Sequence, residues 1–154
     1  MANHTSLQLT EDFRKYPIDD HGKLRTQFFT IQALTVAYAA NDTVDLFLLP
    51  PGRKRLLPNL SRLSGSAFGA GRTIDIGHRA YNARPSAAAD AEVEDPDALI
   101  DGLDVSAATN AVAWSTALKF DMYSVDEVMV FATILGGTMP VGATLSGFLT
   151  YLYE

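Results

Sequence analysis

The stretch VAWSTALKFDMY, residues 112–123, carries the clearest structural pattern in the chain. Large apolar or β-branched side chains alternate with small or charged ones: Trp114, Thr116, Leu118, Phe120 and Met122 against Ser115, Ala117, Lys119 and Asp121. A period of two residues is that of a β-strand, whose successive side chains point to opposite faces of a sheet. The segment therefore predicts a strand with one buried face and one face towards solvent.

Short segments of the same kind lie on both sides of this stretch, separated by turns rich in glycine, proline and asparagine. They predict six further strands, at residues 27–37, 43–49, 55–63, 73–79, 127–135 and 144–153. Residues 127–135 are apolar at both sets of alternating positions, which indicates a central strand or one covered by a partner. Pro58 cannot donate to a neighbouring strand, so the strand at 55–63 is predicted at a sheet edge or with a bulge.

A single helix is predicted, at residues 95–102. Asp95 can cap its first turn, Pro96 suits the first helical position and Gly102 suits the end. Seven strands with one short helix predict a mainly β fold, an antiparallel two-sheet β-sandwich of jelly-roll type, because an alternating βα pattern needs more helices.

The length of 154 residues suits one domain with its own apolar core. Residues 1–26 are polar and have no clear period, so they are predicted to form an extended N-terminal arm, and residues 27–154 the sandwich domain. Only 19% of the residues are charged, against roughly 25% in typical soluble proteins. Part of the surface is therefore predicted to be covered by partners.

The overall charge argues against several classes of partner. A net charge of −6 with twelve Lys and Arg cannot supply the basic field that nucleic-acid binding needs. No apolar run approaches the roughly 18 residues of a membrane helix, so no membrane contact is predicted. The chain has no cysteine, which excludes disulfides and thiolate metal ligands.

No catalytic, cofactor or metal site is predicted, and the chain is not predicted to be an enzyme. The glycine-rich residues 65–71 superficially resemble a phosphate loop, but Ala70 stands where that loop has its second glycine, and no lysine follows. The acidic residues between positions 90 and 104 do not have the spacing of an EF-hand loop. No two of the three histidines have the spacing of a metal-binding helix: His4, His21 and His78. Of these, His78 is predicted to be a partly exposed strand residue.

Apolar and aromatic residues on the first, sixth and last predicted strands suit either burial or a partner surface. Six of them are predicted interface residues: Phe28, Phe29, Met129, Phe131, Tyr151 and Tyr153. An alternative use of aromatic side chains is stacking on sugars, which would make the chain a carbohydrate-binding module. The candidates for that function are Tyr81, Trp114, Tyr151 and Tyr153.

Several segments resemble structural proteins encoded among the head genes of tailed bacteriophages, in particular capsid decoration (cement) proteins of jelly-roll type. They are ANDTVDLFLLPPG (40–52), SRL (61–63), TIDIG (73–77) and GTMPVGATLSGFL (137–149). The resemblance covers residues 27–153 in the same order and consists of strand and turn patterns.

This resemblance implies a homotrimeric knob on the outer surface of an icosahedral capsid, assembled in the host cytoplasm. Such a protein binds neighbouring major capsid protein subunits and stabilises the shell against the pressure of the packaged DNA. The arm at residues 1–26 would reach a capsid subunit or a neighbouring copy. The sequence therefore predicts a virion structural protein, with a carbohydrate-binding module on the virion surface as the alternative.

Overall fold

The computed structural model describes residues 3–5, 23–33, 35–83, 91–114 and 121–153, and these form thirteen strands and one short 3-10 helix, Pro58–Leu60. The strands are β1 (Asn3–Thr5), β2 (Lys23–Gln32), β3 (Thr43–Leu49), β4 (Gly52–Leu56), β5 (Arg62–Gly65), β6 (Thr73–His78), β7 (Tyr81–Asn82), β8 (Ala91–Glu92), β9 (Asp95–Asp104), β10 (Thr109–Ala113), β11 (Asp121–Ser124), β12 (Val128–Leu135) and β13 (Thr144–Tyr153). No helix in these ranges has the length and apolar character needed to cross a membrane.

The strands form two main sheets and a small pair, β7 with β8. Sheet A has the order β1-β3-β12-β6-β9. Sheet B is built around β13, which pairs with β2 along its whole length and with β4 and β5 on its other edge, while β11 and β10 lie outside those two. The β1–β3 pair is parallel, and the other described pairs are antiparallel. The predicted two-sheet β-sandwich is confirmed.

Four predicted strands are found where the alternating pattern placed them. The predicted strands at 43–49 and 144–153 coincide with β3 and β13, and those at 73–79 and 127–135 correspond to β6 and β12. β12 lies between β3 and β6, so the central position predicted from its two apolar faces is confirmed. These strands could be predicted because a buried face requires apolar residues at every second position, and two buried faces require them at every position.

The predicted helix at 95–102 is wrong, because these residues belong to β9. Its helix signals are local and each contributes about 1 kcal/mol, whereas pairing with β6 and burial of Leu99 and Ile100 depend on the rest of the fold. Pro96 is tolerated because β9 is the last strand of sheet A, where an outward-facing position needs no hydrogen-bond donor.

The single strand predicted at 55–63 is also wrong. Pro58 starts the 3-10 helix, which separates β4 from β5, and both strands then pair with β13. The predicted strand at 27–37 is shifted, since β2 starts at Lys23 and ends at Gln32.

Two predicted segments are described only in part. In the stretch at 112–123, β10 ends at Ala113 and β11 begins at Asp121, and residues 115–120 lie outside the described residues. Of the predicted arm, residues 3–5 form β1 and residues 23–26 belong to β2, whereas residues 6–22 lie outside the described residues.

The core lies between the two sheets and is centred on large aromatic rings. Phe29 of β2 lies 5.9 Å from Phe47 of sheet A and 6.3 Å from Trp114, measured between ring centroids. Gly147 on β13 leaves room for Phe29, because a Cβ at this position would lie 3.0 Å from the ring. The two sheets are therefore held together around Phe29.

Candidate subunit interface

The candidate interface is the side of sheet B that points away from the core, formed by β2, β13, β4 and β5; we call it the outer face. Even-numbered residues of β2 lie on it, because odd-numbered ones such as Phe29 are turned into the core. Phe28 and Leu24 are 59% and 58% exposed there. Large apolar side chains that are exposed as a group are typical of interaction surfaces.

Two apolar pairs cross from β2 to β13 on the outer face. Phe28 faces Phe148, and Leu24 faces Leu152 in the register of the two strands. The two phenylalanine rings lie 5.5 Å apart with their planes inclined by 51°. Cross-strand contacts of this kind keep the side chains in place. The outer face therefore presents two apolar pairs, separated by the Thr26–Thr150 pair; we call the four apolar residues the apolar strip.

Arginines extend the same rows of side chains. The three residues and their cross-strand neighbours are Arg62 beside Phe148, Arg55 beside Leu152, and Arg53 beside Tyr123. Arg55 Nε donates to Asp121 Oδ1 at 3.2 Å. Arginine and aromatic residues are the types enriched at protein interfaces, because each combines a large contact area with directed hydrogen bonds or charge.

Two shallow depressions mark this surface. The smaller, of about 280 Å³, is lined by Phe28, Phe29, Thr30, Arg62, Ser64, Ser146, Gly147 and Phe148. The larger, of about 380 Å³, is lined by Arg55, Leu56, Leu57, Pro58, Asn59, Leu60 and Asp121. A partner side chain that enters either depression meets both an apolar wall and a guanidinium group, a combination that anchors protein interfaces.

The predicted interface residues of sheet B are not all at the surface. Phe28 lies on the outer face, but Phe29 and Tyr151 are buried in the core. Tyr153 is half-buried, with the Arg25 guanidinium 5.7 Å from its ring centroid. A contact with a partner through this sheet thus uses Phe28, while Phe29 and Tyr151 support the surface from below.

The predicted interface residues of sheet A, Met129 and Phe131, occupy different positions in β12. Met129 is half-buried, whereas Phe131 is covered by Arg79, whose guanidinium carbon lies 3.9 Å from the ring centroid. Arg79 Nη2 in turn donates to Thr43 Oγ1 at 2.9 Å and to Asp45 Oδ1 at 3.1 Å. Phe131 therefore lies beneath a polar layer of the same chain.

The N-terminal strand β1 pairs with β3 and is also attached to sheet A through side chains. Asn3 Nδ2 donates to Asp45 Oδ2 at 2.8 Å. His4 Nε2 lies 3.1 Å from Asp42 Oδ2, and its ring stacks on Tyr38 with a centroid distance of 3.8 Å. Three residues are too few for a stable strand on their own, so these contacts hold β1 on the edge of β3.

Three residues of the apolar strip were not predicted as interface residues: Leu24, Phe148 and Leu152. The alternation within 144–153 separates Phe148 from the buried Leu149 and Tyr151, and so indicated that Phe148 lies on the opposite side of the strand. Leu24 carried no such signal, because its exposure depends on β2 lying beside β13.

A buried lysine fixes the strand that carries two of the arginines. Lys54 points inward from β4 between Arg53 and Arg55 and is fully buried. Its Nζ donates to the carbonyl oxygens of Pro50 at 2.5 Å and Gly52 at 2.8 Å, and to Ser124 Oγ at 2.8 Å. Removal of the ammonium from water lowers the pKa of Lys54 to about 8.

The free energy of unfolding is expected to rise by roughly 2 kcal/mol between pH 8 and pH 10. In this range the folded chain releases the Lys54 proton while the unfolded chain keeps it up to about pH 10.5. Because the unfolded state binds more protons, stability increases with pH. Above pH 10 the trend is opposed, since burial raises the pKa of Tyr151 to about 12.

Urea unfolding at closely spaced pH values tests this expectation. Lys54→Met serves as the control, because it removes the titrating group and should remove the rise, whatever its effect on stability at pH 7. A wild-type stability that stays level or falls from pH 8 to pH 10 would contradict the expectation.

The described residues bring together no group of three or more His, Asp or Glu that could hold a metal ion. His78, predicted to be partly exposed, is buried; its ring packs against Tyr81, and its Nδ1 lies 3.1 Å from the Arg79 carbonyl oxygen. Three of the four aromatic residues considered for sugar binding are buried: Tyr81, Trp114 and Tyr151. Their ring faces are not available for stacking on a sugar.

No protein-family model and no curated protein matches the sequence. Among solved structures, a chain in the capsid of Ralstonia phage GP4 is similar over 99% of both chains, with a TM-score of 0.71 and 22% identity. This is a fold found in phage capsids. A chain in the capsid asymmetric unit of cyanophage Pam1 is similar over 92% of this chain and 95% of that one, with a TM-score of 0.55 and 13% identity.

The predicted resemblance to phage structural proteins is thereby confirmed for the fold. Both similarities cover more than nine-tenths of either chain, so they concern the whole sandwich and not one sheet of it. The outer face and its arginines lie on one of the two sheets of this fold.

Proposed function

We propose that this chain is a non-enzymatic virion structural protein that decorates and stabilises a phage capsid. It binds major capsid protein subunits at the outer capsid surface and acts as a homo-oligomer, with a trimer as the expected state. The observation that carries the proposal is the similarity over 99% of both chains to a chain in the capsid of Ralstonia phage GP4.

Features of the molecule support an assembly function. The outer face offers an apolar strip with arginines beside it, which is a surface suited to another protein. Stabilisation of a shell requires repeated contacts between copies, and many weak contacts that act together give a high total affinity.

The proposal predicts that the purified protein sediments with capsids that lack it and raises the temperature at which those capsids release their DNA. Phe28→Asp is expected to weaken capsid binding by about tenfold or more, because it places a carboxylate in the apolar strip and so weakens the contact between copies through which several capsid contacts act together. The measurement is the fraction bound in a capsid sedimentation titration.

Val36→Asp is the matched control, because Val36 is 67% exposed but lies outside the strands of the outer face. It should bind capsids as the wild type does. A wild-type protein that remains in the supernatant at all concentrations would refute the proposed function, and equal loss of binding in both variants would refute the part assigned to the outer face.

A further inference from the structure

The charged residues of the described strands are divided between the two sheets. Every Lys and Arg in these strands belongs to sheet B: Lys23, Arg25, Arg53, Lys54, Arg55 and Arg62. The strands of sheet A contain no Lys or Arg, and their acidic residues are Asp45, Asp75, Asp95, Asp97, Asp101 and Asp104. Arg72 and Arg79 lie one residue outside either end of β6, and Arg79 pairs with Asp45 and Glu94. The strands of sheet B are therefore basic, and β9 is the acidic part of sheet A.

The positive charge of sheet B lies partly on the outer face. Arg53 and Arg55 are exposed there and Arg62 is half-buried, while Asp121 is the single acidic residue in the described strands of this sheet. The arginines border the apolar strip that contains Phe28. This surface therefore suits a partner that is negatively charged and can also cover apolar side chains.

The negative charge of sheet A is concentrated on its last strand. We call four residues of β9 the acidic edge: Asp95, Asp97, Asp101 and Asp104. Asp101 and Asp104 are exposed. The hydrogen bond with the Asp95 side chain is the largest cause that raises the pKa of Asp97, and the charges of Asp95 and Asp101 act in the same direction. Asp97 therefore lies in a negative electrostatic field, which attracts a cationic partner.

We propose that the outer face of one copy docks on the acidic edge of a second copy. The contact joins two different surfaces, so it is a head-to-tail contact, and such contacts close into rings when the rotation between copies allows it. The inference rests on the self-association included in the proposed function and specifies which surfaces make it.

A second copy fits the outer face because it supplies the complementary charge. Charged residues at a sheet edge also prevent unwanted strand pairing, and this alone could account for the acidic edge. It does not account for the three arginines that border the apolar strip of the other sheet. Matching positive and negative surfaces on one chain guide copies of that chain into a single relative orientation.

Two double variants test the proposal in solution. Arg53→Glu with Arg55→Glu alters only the outer face, and Asp97→Arg with Asp101→Arg alters only the acidic edge. Each is expected to raise the dissociation constant of self-association by about 100-fold, measured by sedimentation velocity, because like charges then face each other. Association of the wild type should weaken as salt is added.

The decisive measurement is an equimolar mixture of the two double variants. Each retains one intact surface, so the intact acidic edge of one should bind the intact outer face of the other and produce a heterodimer. The two altered surfaces have both reversed their charge, so they are complementary to each other as well, and the mixture is expected to restore the larger oligomers in addition to the heterodimer. Each double variant alone brings like charges together and should stay monomeric, so association in the mixture alone shows that these two surfaces meet.

A charge swap controls for damage to the sheet. Arg55→Glu with Asp121→Arg keeps the cross-strand ion pair and the net charge of the outer face, and should associate as the wild type does. A monomeric wild type, double variants that associate normally, or a mixture that does not form heterodimers would each overturn the proposal.

The result is separable from that of the proposed function, since no capsid is present in these measurements. Head-to-tail oligomers that do not bind capsids would refute capsid decoration and leave the contact between copies intact. Capsid binding by a chain that is monomeric in solution would refute the contact between copies and leave capsid binding intact.

Discussion

Replacement of Phe29 by alanine is expected to lower the free energy of unfolding by about 4 kcal/mol, whereas replacement of the adjacent Phe28 should lower it by less than about 1 kcal/mol. Phe29 is 1% exposed, contacts Phe47 of the other sheet and packs beside Trp114. Its removal leaves a cavity beneath Gly147, which has no side chain to fill it. Phe28 points to solvent and loses mainly its contact with Phe148.

Denaturant unfolding of both variants measures this difference, provided that their m-values equal that of the wild type. The two variants also distinguish a core residue from an interface residue, since Phe28→Ala should weaken self-association while it leaves stability nearly unchanged. Similar losses of stability in the two variants would show that the assignment of inward and outward faces on β2 is incorrect.

Replacement of Gly77 by alanine is expected to cost about 3 kcal/mol, near the upper end of the usual range for overpacked sites. A Cβ on Gly77 would lie 1.9 Å from the carbonyl oxygen of Asp95 and 2.4 Å from the carbonyl carbon of Pro96. Both atoms are backbone, so they cannot move aside as the end of a side chain can. The start of β9 would have to separate from β6.

Gly142→Ala is the control for a purely conformational cost. Gly142 has a φ of +82°, but a Cβ at this position would have no neighbouring atom within 4 Å, so its replacement should cost only about 1 kcal/mol. Hydrogen exchange should further show loss of protection in β9 for Gly77→Ala alone. Equal losses of stability in the two variants would contradict the close approach of β9 to β6.

The parts of the fold that could be predicted from the sequence are those in which burial repeats every two residues. β13 alternates between Leu145, Leu149 and Tyr151 inside and Phe148 outside, and its limits were predicted correctly. β12 has two covered faces and was correctly placed at the centre of a sheet. In both strands the apolar side chains occupy the buried positions, so the sequence alone shows which positions are buried.

Predictions from the sequence were wrong where local signals and tertiary contacts disagree. Asp95, Pro96 and Gly102 have the order found in a short helix, yet β9 gains more from pairing with β6 and burying Leu99. At Pro58 the reverse occurs: a local break ends β4, although the flanking residues alternate as one strand would.

The candidate interface was only partly predictable. Phe28 was predicted and lies exposed on the outer face, but Phe29, Phe131 and Tyr151 share its chemical character and are buried. Their positions depend on which strand covers which, and hydrophobicity alone does not contain this information. The division of charge between the sheets has the same origin, because it becomes visible only when each strand is assigned to its sheet.

The central position of β13 in sheet B affects how the chain folds during its synthesis. β2, β4 and β5 all pair with β13, which follows every other described strand in the sequence. Thr26 and Thr150, whose hydroxyl oxygens are 3.3 Å apart, are separated by 124 positions. Sheet B cannot close until β13 has left the ribosome, and pairing between such distant segments is slow. Until then the apolar sides of β2 and β4 remain uncovered, and in a crowded cell this interval is when chaperones would be needed.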